Sequence, residues 1–191
     1  FTSGRTLEVA GRPLRFNRAV VATGGRPTAP PVAGLADVSY LTNETLFSLT
    51  ELPRRLIVIG GGPIGCELAQ AFARFGSAVT VLDQAPHVLP REDPDAGLIV
   101  QRRLIADGVR LELGVKLIEA ISDRGRLCLR FERPNRAGIA DVSGDQLLIA
   151  AGRAPNVEGL GLEAAGVAVS KQGITVNVPA PREASSRARA S

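Results

Sequence analysis

"LIVIGGGPIGCELAQAFARFGSAVTVLDQAP", Leu56–Pro86, reads as strand, turn, helix and strand. The apolar run Leu56–Ile59 stops at three glycines. A helix is predicted from Pro63 to just before Gly76. Its apolar positions Ile64, Leu68, Ala71, Phe72 and Phe75 recur at spacings of three and four, which predicts one buried face. A second apolar run, Ala78–Leu82, ends in Asp83. Gly60, Gly62 and Gly65 form G-x-G-x-x-G between strand and helix, and an acid follows 18 residues after Gly65. In that context each glycine has a task. Gly60 permits a tight turn, Gly62 lets the backbone approach a pyrophosphate, and Gly65 lets the helix pack close to the sheet. Main-chain N–H groups at the helix start, with the helix dipole, hold the phosphates. A carboxylate at Asp83 accepts hydrogen bonds from the two hydroxyls of an adenosine ribose and repels a 2′-phosphate. The expected cofactor is therefore NAD rather than NADP. The bland alternative is a glycine-rich turn with a surface aspartate.

Outward from this stretch the alternation continues. A second helix is predicted over Pro94–Ala106, with Asp93 as N-cap and Gly108 just past its end. A third strand is predicted over Val109–Leu113. Strands alternating with helices imply a parallel sheet with right-handed crossovers. From Lys116 to Val142 the pattern changes to alternating strands, with "SDRG" as a hairpin turn between "KLIEAI" and "RLCLRFE". "QLLIAAG" (Gln146–Gly152) is a buried strand ending in a loop. Upstream, "TLEV", "PLRF" and "AVVA" read as short strands. Glycines and prolines forbid regular structure in Thr23–Leu35. Tyr40–Pro53 reads as a connection in which "TNETLFSL" forms a short helix capped by Thr42 or Asn43. Downstream, "RAPNVEGLGLEAAGV" is a loop leading into a short helix, and "GITVN" (Gly173–Asn177) is a strand. Residues 178–191 have no apolar period and a composition that cannot bury a core.

Composition excludes several function classes. Hydrophobic residues make up 45% and charged residues 22% of the 191, a globular profile. No apolar run approaches the ~20 residues of a membrane span, and no signal-peptide pattern opens the chain. The expectation is a soluble, cytoplasmic protein with no membrane partner. The net charge of +4 is not clustered into the basic face that nucleic acid requires. The excess of arginine over lysine reads as codon bias. The chain has no methionine, so it reads as an internal piece of a longer protein. Cys66 and Cys128 form neither a disulfide framework nor a metal cluster. Cys66 reads as a small structural side chain, Cys128 as a strand residue, and His87 as a surface loop residue. Glu92, Asp93 and Asp95 suit a helix start better than a metal. No metal site is expected.

Three stretches together resemble the pyridine nucleotide–disulfide oxidoreductases, the flavoenzyme family of mercuric reductase, dihydrolipoamide dehydrogenase and glutathione reductase. They are "VVATGGRPTAPPVAGL", "VIGGGPIGCELAQAFARFGSAVTVLDQAPHVLPREDPDA" and "LLIAAGRAPNVEGLGLEAAGV". The second is most like the mercuric reductase branch. The resemblance implies an α/β fold: a Rossmann-like NAD-binding domain, parallel sheet plus β-meander, flanked by two partial pieces of an FAD-binding domain. It assigns residues 1–38 to the FAD domain, 39–53 to a connection, 54–150 to the NAD domain and 151–177 to the return into the FAD domain. It implies that Thr23, Gly24 and Gly25 lie against FAD. Gly60, Gly61, Gly62, Pro63, Ile64 and Gly65 would cradle the NAD pyrophosphate. Glu67 would sit where nicotinamide meets flavin, Asp83 at the adenosine ribose, Leu117 at the adenine pocket and Gly152 near the nicotinamide. Family members usually have Thr where Ala151 stands.

The implied reaction passes hydride from NADH to FAD, then electrons to a redox-active cysteine pair, then to a small-molecule or metal-ion acceptor, in a homodimer. The family's FAD-binding G-x-G-x-x-G, its C-x-x-x-x-C pair, its Gly-Asp motif and its C-terminal domain with a catalytic His are not in this sequence. No residue here is therefore assigned as catalytic, and residues 178–191 read as frameshifted. Two other readings stay open: a flavin-dependent NADH oxidase or ferredoxin reductase that lacks the disulfide, and an inert NAD-binding module.

Overall fold

The computed structural model describes residues 1–123, 126–133 and 138–176. The expected off-pattern tail, 178–191, lies outside them. The described residues divide into two compact units, Arg26–Arg153 and a second made of Phe1–Gly25 with residues 154–176.

The second unit opens with strands β1 (Thr6–Val9) and β2 (Arg12–Arg15), an antiparallel hairpin. Its two-residue turn, Ala10 and Gly11, has positive φ at both positions, the twist that a tight hairpin needs. "AVVA" forms no strand. Val20 is 90% exposed, and no neighbouring strand pairs with this run among the described residues. β-propensity without a ladder leaves irregular chain. Strand β3 (Gly25–Pro27) begins at the last residue of this segment, and a 3-10 turn follows at Leu35–Asp37. Thr23–Leu35 is thus not wholly irregular, contrary to what its glycines and prolines predict, because a three-residue strand needs only extended backbone, which proline at its end permits.

The larger unit is built on β4 (Arg55–Ile59), α1 (Pro63–Phe75), β5 (Ala78–Asp83), α2 (Pro94–Ala106) and β6 (Arg110–Leu113). A meander follows, β7 (Lys116–Asp123), β8 (Arg126–Glu132) and β9 (Ile139–Gly144), and then β10 (Gln146–Ile149). The sheet order is β10-β4-β5-β6, all parallel. The meander is an antiparallel sheet, β7-β8-β9. The expected parallel sheet plus meander is therefore the fold observed.

The parallel sheet is covered on both faces, which is why its central strand reads as an unbroken apolar run. Leu56 and Val58 of β4 join Val79, Val81, Cys66, Ala69 and Leu104 on the helical side. Ile57 and Ile59 join Leu82, Leu147 and Ile149, with Leu127, Leu129 and Phe131 of the meander, on the other. Burying such side chains contributes about 1.5–3 kcal/mol each.

Helix α1 starts at Pro63 and stops at Gly76, whose φ of 107° ends it. Its inward face includes the predicted Leu68 and Phe72 but centres on smaller residues. Gly65, Cys66 and Ala69 are buried, with Leu68, Phe72 and Ala73 packed beside them, while Phe75 is 68% exposed. The helix lies too close to the sheet for large side chains, so the small residues face inward. In α2, Asp93 Oδ1 accepts from the N–H groups of Asp95 (3.0 Å) and Ala96 (3.2 Å), as expected of an N-cap. Asp107, just past α2, accepts from Gln70 and Arg74 of α1 and from Arg103, tying the helices together.

"TNETLFSL" gives only a 3-10 turn, Leu46–Ser48. Leu46 is buried but Phe47 is 79% exposed, so no apolar stripe holds a longer helix. Beyond β10, β11 (Arg153–Pro155) is followed by another 3-10 turn, Glu163–Ala165, at the expected short helix. Strands β12 (Val169–Ser170) and β13 (Gly173–Ile174) pair with each other. β13 stops before Thr175 and Val176 of the predicted strand, because its two-residue partner ends the ladder; Asn177 lies outside the described residues.

Candidate functional site

The C-terminal ends of β4 and β5 meet at the glycine loop. Gly60 has φ +112°, and a Cβ there would stand 2.4 Å from the Ala150 carbonyl oxygen. Both the conformation and the space therefore require glycine. A Cβ at Gly65 would stand 1.9 Å from the Gly60 carbonyl oxygen, so α1 can approach the loop only without a side chain there. Gly62 differs: its φ is −75°, and an added Cβ would meet nothing within 4 Å. Its lack of a side chain is not explained by packing. Helix geometry leaves the first-turn N–H groups of α1, including those of Ile64 and Gly65, without intrahelical acceptors, and Pro63 has none to give. An anion seated there is favoured by these donors and by the dipole.

Asp83 ends β5 beside this loop. Its Oδ2 accepts from Gly61 N–H and its Oδ1 from Ala85 N–H at 2.7 Å. Each carboxylate oxygen has further lone pairs for a hydroxyl ligand. The charge, the open Gly62 and the donor-rich helix start thus lie at adjacent strand ends, the place where α/β sheets bind ligands. These residues fit a dinucleotide: donors for its phosphates, an acceptor for its ribose, and room at the position a Cβ would otherwise fill.

Other sequence-selected residues fall elsewhere. Glu67 is exposed on α1. Leu117 lies on β7 opposite Phe131, at a bulge between Leu117 and Glu119, and packs partly against the meander core. Gly152 is exposed; its carbonyl accepts from Thr28 N–H at 3.1 Å. In the other unit, Thr23 Oγ1 donates to the Asn156 carbonyl (2.6 Å), and Asn156 Nδ2 donates back to that of Thr23 (3.0 Å). Asn156 N–H donates to the Gly24 carbonyl (3.0 Å). A Cβ at Gly25 would stand 2.8 Å from the Ala154 carbonyl oxygen. The "TGG" and "RAPN" stretches, remote in sequence, are thus clasped together.

Cys66 is buried, and its thiol donates to the Gly61 carbonyl at 3.2 Å. Burial first, and the nearby Asp83 charge second, push its pKa up to about 11. It is a protonated, structural thiol, as expected. His87 Nδ1 lies 3.0 Å from the Val88 carbonyl. No group of His, Cys, Asp and Glu suited to a metal ion occurs among the described residues. No described helix is long and apolar enough to cross a membrane. Sequence reasoning missed Ala85, Val88 and Leu89, whose contribution is main-chain atoms or a covering side chain with no residue-type signature.

The model of the pyridine nucleotide-disulphide oxidoreductase family matches residues 1–179. A mercuric reductase of Lysinibacillus sphaericus is 37% identical over 171 residues, covering 90% of this chain and 31% of that protein. A dihydrolipoyl dehydrogenase of Thermus scotoductus is 33% identical over 180 residues, covering 93% and 39%. The chain thus spans between about a third and two fifths of the length of these curated relatives. Among solved structures, the Cu(II) complex of the HOCl-induced flavoprotein disulfide reductase RclA from Escherichia coli superposes with a TM-score of 0.79 at 32% identity. That match covers 92% of this chain and 40% of the other.

Proposed function

We propose that this chain, which belongs to the pyridine nucleotide-disulphide oxidoreductase family, provides the NADH-binding part of a flavin-dependent disulfide oxidoreductase. One observation carries the reading: the open Gly62 and the Asp83 carboxylate stand at the ends of adjacent parallel strands. When the cofactors are bound, NADH supplies hydride to FAD, and electrons pass on to a cysteine pair and an acceptor. This chain's own residues bind and orient. Gly60, Gly61, Gly62, Pro63, Ile64 and Gly65 hold the pyrophosphate, and Asp83 holds the ribose hydroxyls. Glu67 and Gly152 lie toward the nicotinamide and Leu117 toward the adenine. Thr23, Gly24 and Gly25 face FAD from the second unit, fixed by their clasp with Asn156.

On this reading residues 54–150 are the NAD domain, 1–38 and 151–177 are parts of the FAD domain, and 39–53 connect them. The names of the relatives, mercuric reductase and dihydrolipoyl dehydrogenase, support mercuric ion or lipoamide as acceptor; on the same reading the enzyme is a cytoplasmic homodimer. Asp83 favours NADH over NADPH, because a 2′-phosphate would meet its negative charge. Competition of NADH and NADPH for the chain tests this. The expected outcome is NADH binding at least about tenfold tighter, the scale of one unfavourable charge contact. Equal affinities would remove the NAD assignment.

A further inference from the structure

The carbonyl of Gly61 is held by two donors that are not glycines of the motif. Leu89 N–H donates to it at 2.8 Å, and the Cys66 thiol at 3.2 Å. The peptide that joins Gly61 to Gly62 is trans. Its N–H, on Gly62, therefore points opposite to that carbonyl. Anchoring the carbonyl on the protein side turns the Gly62 N–H away from it, and this N–H has no acceptor among the described residues. Gly62 is also the loop position where a Cβ meets nothing.

Leu89 takes an uncommon conformation to make this bond. Its φ is +54°, and among the described residues only Ala10, in the hairpin turn, is another non-glycine with positive φ. Such a backbone persists where its surroundings over-determine it. Here they do. The Val88 side chain is fully buried, and Val88 N–H donates to Gln101 Oε1 of α2 at 3.3 Å. Glu92 N–H donates to the Leu89 carbonyl at 3.0 Å. Gly97 leaves room beneath, since a Cβ there would stand 3.1 Å from the Val88 carbonyl oxygen. The Cys66 thiol, with its raised pKa, stays protonated and remains a donor at neutral pH.

We propose that Leu89 and Cys66 are positioning residues for a pyrophosphate: their N–H and S–H groups fix the Gly61–Gly62 peptide so that the Gly62 N–H faces a dinucleotide phosphate. Neither residue touches the ligand, and the strap of Val88 and Leu89, held by Gln101, transmits the position of α2 to the loop. This rests on the nucleotide-binding reading above.

The test is calorimetric titration of the 191-residue chain with ADP-ribose, which carries a pyrophosphate, and with adenosine, which does not. Cys66→Ala removes one donor and Cys66→Ser supplies one again. Gln101→Leu removes the anchor of Val88 from outside the loop. The expected result is a loss of ADP-ribose affinity of about 3- to 10-fold in Cys66→Ala and in Gln101→Leu, the scale of one net hydrogen bond. Adenosine affinity stays unchanged, and Cys66→Ser recovers ADP-ribose binding. Equal losses for both ligands, unchanged ADP-ribose affinity, or a Cys66→Ser loss as large as that of Cys66→Ala overturns the positioning role alone. Failure of the folded, unsubstituted chain to bind ADP-ribose overturns the nucleotide reading and this proposal with it.

Discussion

Asp83 and Gly61 are joined side chain to main chain: the Asp83 carboxylate accepts from the Gly61 N–H while its other oxygen accepts from Ala85 N–H. The carboxylate is therefore fixed before any ligand arrives, and its orientation costs nothing further on binding. Binding energy that needs no reordering is retained as affinity. Asp83→Ser shortens the acceptor and removes the charge. The expected outcome is NADH affinity reduced about 10-fold or more, from the loss of charge-assisted hydrogen bonds, with NADPH affinity reduced less. Competitive titration of the two nucleotides measures the change in ratio.

Two glycines of one motif predict opposite phenotypes for one substitution. In Gly65→Ala the new methyl group would stand 1.9 Å from the Gly60 carbonyl oxygen, so α1 must move. Overpacking of this kind costs about 3 kcal/mol, a fall in Tm of roughly 6–12 °C. In Gly62→Ala the methyl enters open space from a φ of −75°, which alanine adopts freely. Its Tm stays within about 2 °C of the parent, yet NADH affinity falls because the methyl occupies the pyrophosphate position. Thermal melts with and without NADH separate the two effects.

How much of this was legible in the sequence depended on whether a side chain carried the signal. Pro63 and Gly76 punctuate α1, and Asp93 caps α2, so both helices have the predicted ends. The face of α1 is legible at Leu68 and Phe72 but not at its centre, because burial there follows size: Gly65 and Ala69 are inside and Phe75 outside. "AVVA" has strand composition but no ladder. The bulge after Leu117 leaves no mark in "KLIEAI". Within the site, the glycines and Asp83 were visible as residue types. The Leu89 bond to Gly61 was not, since it is made by a main-chain N–H that every residue except proline possesses.

Glu112 links stability to acid. Its carboxylate accepts from Arg133 Nε (2.8 Å) and from Arg110 Nε (3.0 Å). The hydrogen bonds of Arg133 first, and those of Arg110 after it, hold its pKa below the ordinary value of 4.5. A carboxyl whose folded pKa is depressed contributes stability that is complete above the unfolded value and lost as pH falls through the folded one. The chain should therefore lose urea resistance as pH falls below about 4.5, and Glu112→Gln should lower it at pH 7 while flattening that decline. Urea midpoints followed from pH 7 downward, with an unaltered decline in the variant, would refute the assignment.

The two cysteines should differ in reactivity. Cys66 is buried, with its thiol pKa at about 11, while Cys128 on β8 is half-buried. Thiolate, not thiol, attacks alkylating reagents. Iodoacetamide at pH 8 should label Cys128 first in the native chain and reach Cys66 only on unfolding. Mass spectrometry of peptides after timed labelling reads the order, and early modification of Cys66 would contradict the closed packing of α1 on the glycine loop.

The most direct measurement is an isothermal titration of the folded 191-residue chain with NADH, repeated on Gly62→Ala. The account predicts one NADH per chain, with affinity lost in the variant while its Tm is kept. A folded chain that binds no NADH, or a Gly62→Ala chain that binds it as tightly as the parent, would contradict the claim that the ends of β4 and β5 form a dinucleotide site.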